Sequence, residues 1–266
     1  MTAPGRWQAW AAAVAGRTHR VGHRRCQDHC RYRLMRRPSC AIGVVADGAG
    51  SAKHGRAGAK LTCVALLASA RQLILANPHP ASIDRDQVCE MLRQARNLIA
   101  SRAHRRPVRD YATTVAVAIL GRDGCLFVQI GDSVIVAGDR GDYAPVFWPE
   151  NGEFVNTTSF LTENNFEEHV RFESRPAPAA EVALFTDGLS PIALNLREQT
   201  AHRPFFSPLF TQLRSEIRRR TPRFIVEREL RHFLRSEAIE NRVDDDRSLV
   251  LICAHGQEKN ESNLLG

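Results

Sequence analysis

Four aspartates stand at the margins of apolar segments: Asp28 in R-R-C-Q-D-H-C, Asp47 in V-V-A-D-G, Asp187 in L-F-T-D-G and Asp245 in V-D-D-D-R-S-L-V. An Asp-Gly pair alone is ordinary turn chemistry. Four carboxylates at the ends of core strands are harder to dismiss, because strands laid side by side bring their ends together. Converging carboxylates repel one another and are expensive to bury unpaired. Divalent cations resolve both problems, and an all-oxygen ligand set favours Mg²⁺ or Mn²⁺ over zinc. Gly48 would let the backbone approach an ion and offer its carbonyl. Two such ions lower the pKa of a shared water and aim it at a phosphoryl group. The spacing therefore points to metal-assisted hydrolysis with phosphoesters as natural substrates, and it equally admits a structural or regulatory metal site.

Elements must hold these carboxylates. Residues 41–46 (A-I-G-V-V-A) and Glu181 to Thr186 read as buried strands, and Ser248 to Ala254 as a last core strand. Ala52 to Ala76 carries helical apolar spacing and stops at Asn77-Pro78. Asp84 to Arg105 repeats the pattern, with Val88, Met91, Leu92, Ala95, Leu98 and Ile99 in one stripe. Thr113 to Leu120, Cys125 to Ile130 and Ser133 to Ala137 predict an antiparallel meander. Trp148 to Pro178 reads as a loop or flap with one short strand, and we expect it to carry specificity. Phe205 to Arg220 and Arg223 to Glu240 predict two arginine-rich helices. Residues 1–256 read as one domain, followed by a disordered tail over 257–266.

The chain has 266 residues, is 43% hydrophobic and can bury a full core. No run of about twenty apolar residues is evident, so no membrane span is expected. Met1 to Gly16 only faintly resembles a leader and reads better as a first core element. Seven cysteines, several inside apolar runs such as L-T-C-V-A-L-L, suit a reducing cytoplasm better than a disulfide framework. The net charge is +8, and 34 of the 37 basic residues are arginine. Such a bias fits either genome composition or a surface that attracts phosphorylated or acidic partners. The cluster Arg214, Arg218, Arg219, Arg220 and Arg223 has no interleaved aromatics and does not point to nucleic acid.

The ordered series C-Q-D (26–28), V-V-A-D-G (44–48), Y-A-T-T-V (111–115), I-G-D-S (130–133), F-T-D-G-L (185–189) and D-D-R-S-L-V (245–250) resembles the metal-dependent type 2C protein phosphatases. It is most similar to their bacterial branch, with G-x-[ST]-H before C-Q-D and D-G-x-G-S-A in the second motif. The resemblance implies an α+β fold, a four-layer α-β-β-α sandwich of two antiparallel sheets flanked by helices. It implies Asp47 bridging two Mg²⁺ or Mn²⁺ ions, with the Gly48 carbonyl on one of them. Asp187 and Asp245 would complete one ion's shell, Asp28 would hold bound waters on the other side, and Asp132 would contribute to a third ion, with Thr114 nearby. Asp246 would replace a hydrogen-bonding asparagine, although a one-residue slip would exchange it with Asp245. The implied activity is hydrolysis of phosphoserine and phosphothreonine in a protein substrate, paired with a serine/threonine kinase.

Two positions depart from that family. Ala49 stands where many members carry a histidine that protonates the leaving alkoxide; His54, His19 or a water are the alternatives. His23 stands where many carry a phosphate-clamping arginine, and Arg20, Arg24 and Arg25 are near enough to substitute. These departures leave a catalytically weak or inactive phosphoprotein-binding module as a second reading. The segment holding His19, His23, Cys26, His29 and Cys30 also has short Cys/His spacing that can bind zinc, but it lacks a second half-site.

Overall fold

The computed structural model describes residues 6–23, 25–149 and 158–255. Arg24, the middle of the expected flap and the expected disordered tail lie outside the described residues.

In chain order the elements are β1 (Arg6–Val14), α1 (Arg17–Val21), β2 (His29–Arg36), β3 (Ser39–Ala46), α2 (Gly55–Ala76) and α3 (Arg85–Ala103). Then come β4 (Val115–Gly121), β5 (Cys125–Ile130), β6 (Val134–Asp139), β7 (Asp142–Pro145), β8 (Arg171–Arg175), β9 (Glu181–Phe185) and α4 (Ser190–Ala193). A small hairpin of β10 (Leu194–Asn195) and β11 (Thr200–Ala201) leads to α5 (Arg203–Arg219), α6 (Arg223–Leu234), α7 (Glu237–Glu240) and β12 (Arg247–His255).

Two five-stranded antiparallel sheets result, in the orders β1-β12-β9-β6-β7 and β2-β3-β4-β5-β8. Strand periodicity sorts the side chains into three apolar layers. In β4, Val115, Val117 and Ile119 face α2 and α3, whereas Ala116, Ala118 and Leu120 face the opposite sheet. In β12, Leu249 and Leu251 face α5 and α6, and Val250 and Ile252 fill the space between sheets. The small alanines let the sheets approach, and the larger residues pack the helices. The expected α-β-β-α sandwich is what forms.

Some expectations need correction. The meander is broken: β5 stays beside β4 and β8, while β6 joins the other sheet beside β7 and β9. The chain crosses at Gly131, whose φ of +87° suits glycine, and a Cβ there would lie 2.8 Å from the Ser159 carbonyl. The second arginine-rich helix ends at Leu234, and Ser236 begins the separate short α7. Strand β2 was not anticipated. Finally, α2 is long and apolar enough by composition to span a membrane, with a mean hydropathy of 1.4. Half of that stretch is buried, and Cys63, Leu66 and Ala70 pack in the core with α3 and β3.

Candidate metal centre and active site

Strand register brings the aspartates to one end of both sheets. His29 pairs with Ala46, so Asp28 and Asp47 leave adjacent strands together. The Thr114 amide donates to the Asp47 carbonyl at 2.9 Å, and the Asp47 amide donates to Thr114 Oγ1 at 3.0 Å. In the other sheet, Phe185 pairs with both Leu249 and Val134. Asp187, Asp245 and Asp132 therefore lie just past the same end.

Small residues allow the loops to meet there. A Cβ on Gly48 would lie 2.2 Å from the Gly55 carbonyl carbon, so only glycine lets Asp47 sit over the start of α2. Hydroxyls tie the sheets together across the centre. Thr186 Oγ1 donates to Asp28 Oδ2 at 2.5 Å and accepts the Ser248 amide at 2.9 Å. The Thr114 and Ser133 hydroxyls are 2.8 Å apart.

Asp47 is the middle of the set. Its carboxylate is within hydrogen-bonding reach of both Asp28 and Asp187, and it senses the charges of Asp132 and Asp245. Burial pushes its pKa up to about 6. Burial, then Asp47, Asp132 and Asp245, push Asp187 up to about 8. Asp28 is driven well above the carboxylate range by burial and by Asp47, opposed by the Thr186 hydroxyl. Asp132 Oδ2 accepts from Thr158 at 2.8 Å, while its Oδ1 is buried without a partner. A row of mutually repelling carboxylates with an orphaned oxygen is a set that hard divalent cations would satisfy.

Asp245 and Asp246 separate clearly. Asp246 is buried; its Oδ1 accepts the Gly16 amide at 2.7 Å and its Oδ2 the Gln27 amide at 2.5 Å. Asp245 is exposed, and its charge acts on Asp47 and Asp187. Apart from the Asp246 amide, which donates to Asp245 Oδ1 at 2.7 Å, Asp245 is left to ligate, while Asp246 fastens the front segment.

Other expected site residues fare unequally. Arg20 is committed to Glu240 through two bonds of 2.5 and 2.7 Å, which removes it as a phosphate clamp. His23 and Arg25 are exposed, and neither pairs with a carboxylate among the described residues. Ala49 is buried and donates its amide to Ala112. The His54 ring lies against Tyr111 with centroids 5.0 Å apart. His19 Nδ1 lies 2.9 Å from Asp246 Oδ2, and the ligating atoms of His19, Asp245 and Asp246 fall within 4.8 Å of one another. No comparable Cys/His group forms among the described residues, so the zinc reading is not supported. Thr186 and Ser133 went unnoticed in the sequence; a hydroxyl beside a strand-terminal aspartate was the only signal.

The family model for protein phosphatase 2C matches residues 15–235. The chain belongs to the protein phosphatase 2C family. It is 31% identical over 252 residues to serine/threonine-protein phosphatase 3 of Escherichia coli K12, covering 92% of this chain and 97% of that one. The same fold occurs in the serine/threonine phosphatase of S. agalactiae, at 14% identity and a TM-score of 0.62 over 93% of this chain and 99% of that one. It also occurs in the catalytic domain of PstP, solved in complex with two manganese ions, at 17% identity and a TM-score of 0.57 over 94% and 98% of the two chains.

Proposed function

We propose that this protein is a metal-dependent serine/threonine phosphatase that hydrolyses phosphomonoesters in protein substrates. The observation that carries the reading is Asp47, which stands between Asp28 and Asp187 in a row of buried and half-buried carboxylates with raised pKa values. Magnesium or manganese would be held by Asp47, the Gly48 carbonyl, Asp187 and Asp245, with Asp28 opposite and Asp132 at a third position. When bound, such ions offset phosphoryl charge and lower the pKa of the attacking water.

The chain's own residues do the rest. Asp47 sets the spacing of the centre because it faces carboxylates from both sheets. Thr186 fixes Asp28, and Asp246 fastens the Gly16 and Gln27 backbone. Hydrolysis breaks the phosphorus–oxygen ester bond, and the departing serine or threonine oxygen needs a proton. With Ala49 unable to supply it, His19 is the better placed of the two candidate histidines, its Nδ1 2.9 Å from Asp246 Oδ2, whereas His54 lies against Tyr111. Arg25 is the remaining described candidate for the phosphate clamp. The reaction that supplies the substrate is a kinase's transfer of phosphate to serine or threonine. Seven free cysteines support placement in the cytoplasm.

The test is hydrolysis of p-nitrophenyl phosphate and of a phosphothreonine peptide with Mn²⁺, Mg²⁺ or EDTA. Activity is expected with either metal and none in EDTA. Asp47→Asn and Asp187→Asn should lower kcat by about 10²-fold or more with the fold intact by circular dichroism. Metal-independent turnover, or full activity in both variants, overturns the reading.

A further inference from the structure

Beside the carboxylate row lies a group of cations that the reaction itself does not use. Strand β2 forms the edge of its sheet. Its Cys30, Tyr32 and Leu34 turn toward the space between the sheets, which leaves His29, Arg31 and Arg33 on the side of α2. Arg31 and Arg33 are exposed there. Across from them, Arg56 and Lys60 stand exposed one turn apart on α2. The His29 ring lies near the cations of both elements. Arg31 Nε donates to its Nε2 at 3.2 Å, and Arg31, Lys60 and Arg56 all act on it electrostatically.

Position beside the metal centre, together with the lack of a carboxylate partner, marks this group. Elsewhere Arg20, Arg93, Arg175 and Arg214 are each matched to a glutamate. Among the described residues, no carboxylate pairs with Arg31, Arg56 or Lys60. The first turn of α2 also carries no acidic residue, so its N-terminal dipole adds to the positive field. The patch abuts the metal centre. Gly55, the neighbour of Arg56, packs backbone to backbone on Gly48, and His29 follows Asp28 directly. A peptide whose phosphorylated residue sits at Asp47 would run its flanking residues over these cations.

We infer that Arg31, Arg56 and Lys60 form a docking surface for acidic segments, so that the preferred substrates are phosphoproteins with aspartate or glutamate flanking the phosphorylated residue. The inference deepens the phosphatase reading and rests on it for the word substrate, but the surface can be tested by binding alone. Cation patches of this kind raise association rate and select partners, and salt screens them.

The experiment uses the full chain with Mn²⁺ and two fluorescent, unphosphorylated peptides. One has glutamates on both sides of a central threonine, and the other has glutamines in their place. Anisotropy at low salt should show the glutamate peptide bound about tenfold more tightly, an advantage of about 1.4 kcal/mol. High salt should shrink that advantage, and R31E/K60E should abolish it. R31Q/K60Q serves as the milder variant should charge reversal disturb folding. In parallel, both variants should hydrolyse p-nitrophenyl phosphate like the unmodified protein. Their kcat/KM should fall on a phosphothreonine peptide with the glutamate flanks. Equal affinity for the two peptides overturns the proposal, as does a preference that survives both variants. Loss of p-nitrophenyl phosphate turnover in the variants also overturns it, because the cations would then act on the phosphoryl group itself. An unmodified protein that hydrolyses no phosphoester counts against the phosphatase reading, while the peptide-binding arm still decides the docking surface.

Discussion

The Thr186 hydroxyl stands between Asp28 of one sheet and the Ser248 amide of the other, at 2.5 and 2.9 Å. Valine at this position would keep the shape and strand preference but leave the amide buried without an acceptor. It would also remove the one hydrogen bond that favours ionised Asp28. Thr186→Val is expected to weaken Mn²⁺ binding by about 10- to 100-fold, as loss of an outer-shell partner does. Thermal unfolding should show a loss of about 1–3 kcal/mol, and Thr186→Ser should restore both. Titration calorimetry with Mn²⁺ checks the first outcome. At this scale the aspartates were legible because an apolar run ending in Asp-Gly marks a strand end. The hydroxyls were not, since a threonine bound to a carboxylate reads the same as one bound to water. Asp245 and Asp246 were likewise indistinguishable as neighbours in a string; only the Gly16 and Gln27 amides tell them apart.

At the scale of elements, the loop bearing Asp245 is gripped from both sides. A Cβ on Gly16 would lie 2.2 Å from the Asp244 carbonyl oxygen, and one on Gly188 would lie 1.9 Å from that of Asp246. Gly188→Ala must therefore displace the loop by backbone movement. Lower thermal stability and weaker metal binding are expected together. Gly50→Ala is the control, because a Cβ there meets nothing closer than Gln27 Oε1 at 3.8 Å and should change neither property. The strands buried on both faces were legible from their apolar runs, and β5 matched its expected bounds. Strand β2 was hidden because an edge strand needs only one apolar face, and H-C-R-Y-R-L-M-R offers too few apolar residues to stand out. The step of β6 into the other sheet was hidden for a different reason. Alternation specifies which face a residue takes, not which neighbour its strand finds.

For the molecule as a whole, the carboxylate row makes stability depend on pH and metal jointly. In the metal-free protein, native Asp47 and Asp187 retain protons that the unfolded chain, with ordinary carboxylate values of 3.8, has already released. Stability is thus expected to fall as pH rises from about 4, through about 6 for Asp47 and about 8 for Asp187. Divalent cations take the place of those protons, so saturating Mn²⁺ should raise Tm most at the alkaline end of that window. Thermal melts across pH in EDTA and in Mn²⁺ check this; a metal-free Tm that climbs over the same window would contradict it.

The sheet order β1-β12-β9-β6-β7 has a bearing on biosynthesis. Strand β1 precedes every other described element, yet its sole hydrogen-bonded neighbour among the described strands is β12. That neighbour is also the bridge to β9 and follows directly after Asp245. A nascent chain paused before Arg247 would carry an orphaned first strand and a half-built centre, and long-range pairings of this kind form late. Dephosphorylation is then withheld until β12 has emerged and paired, and the growing polypeptide stays inert beside the phosphoproteins around it.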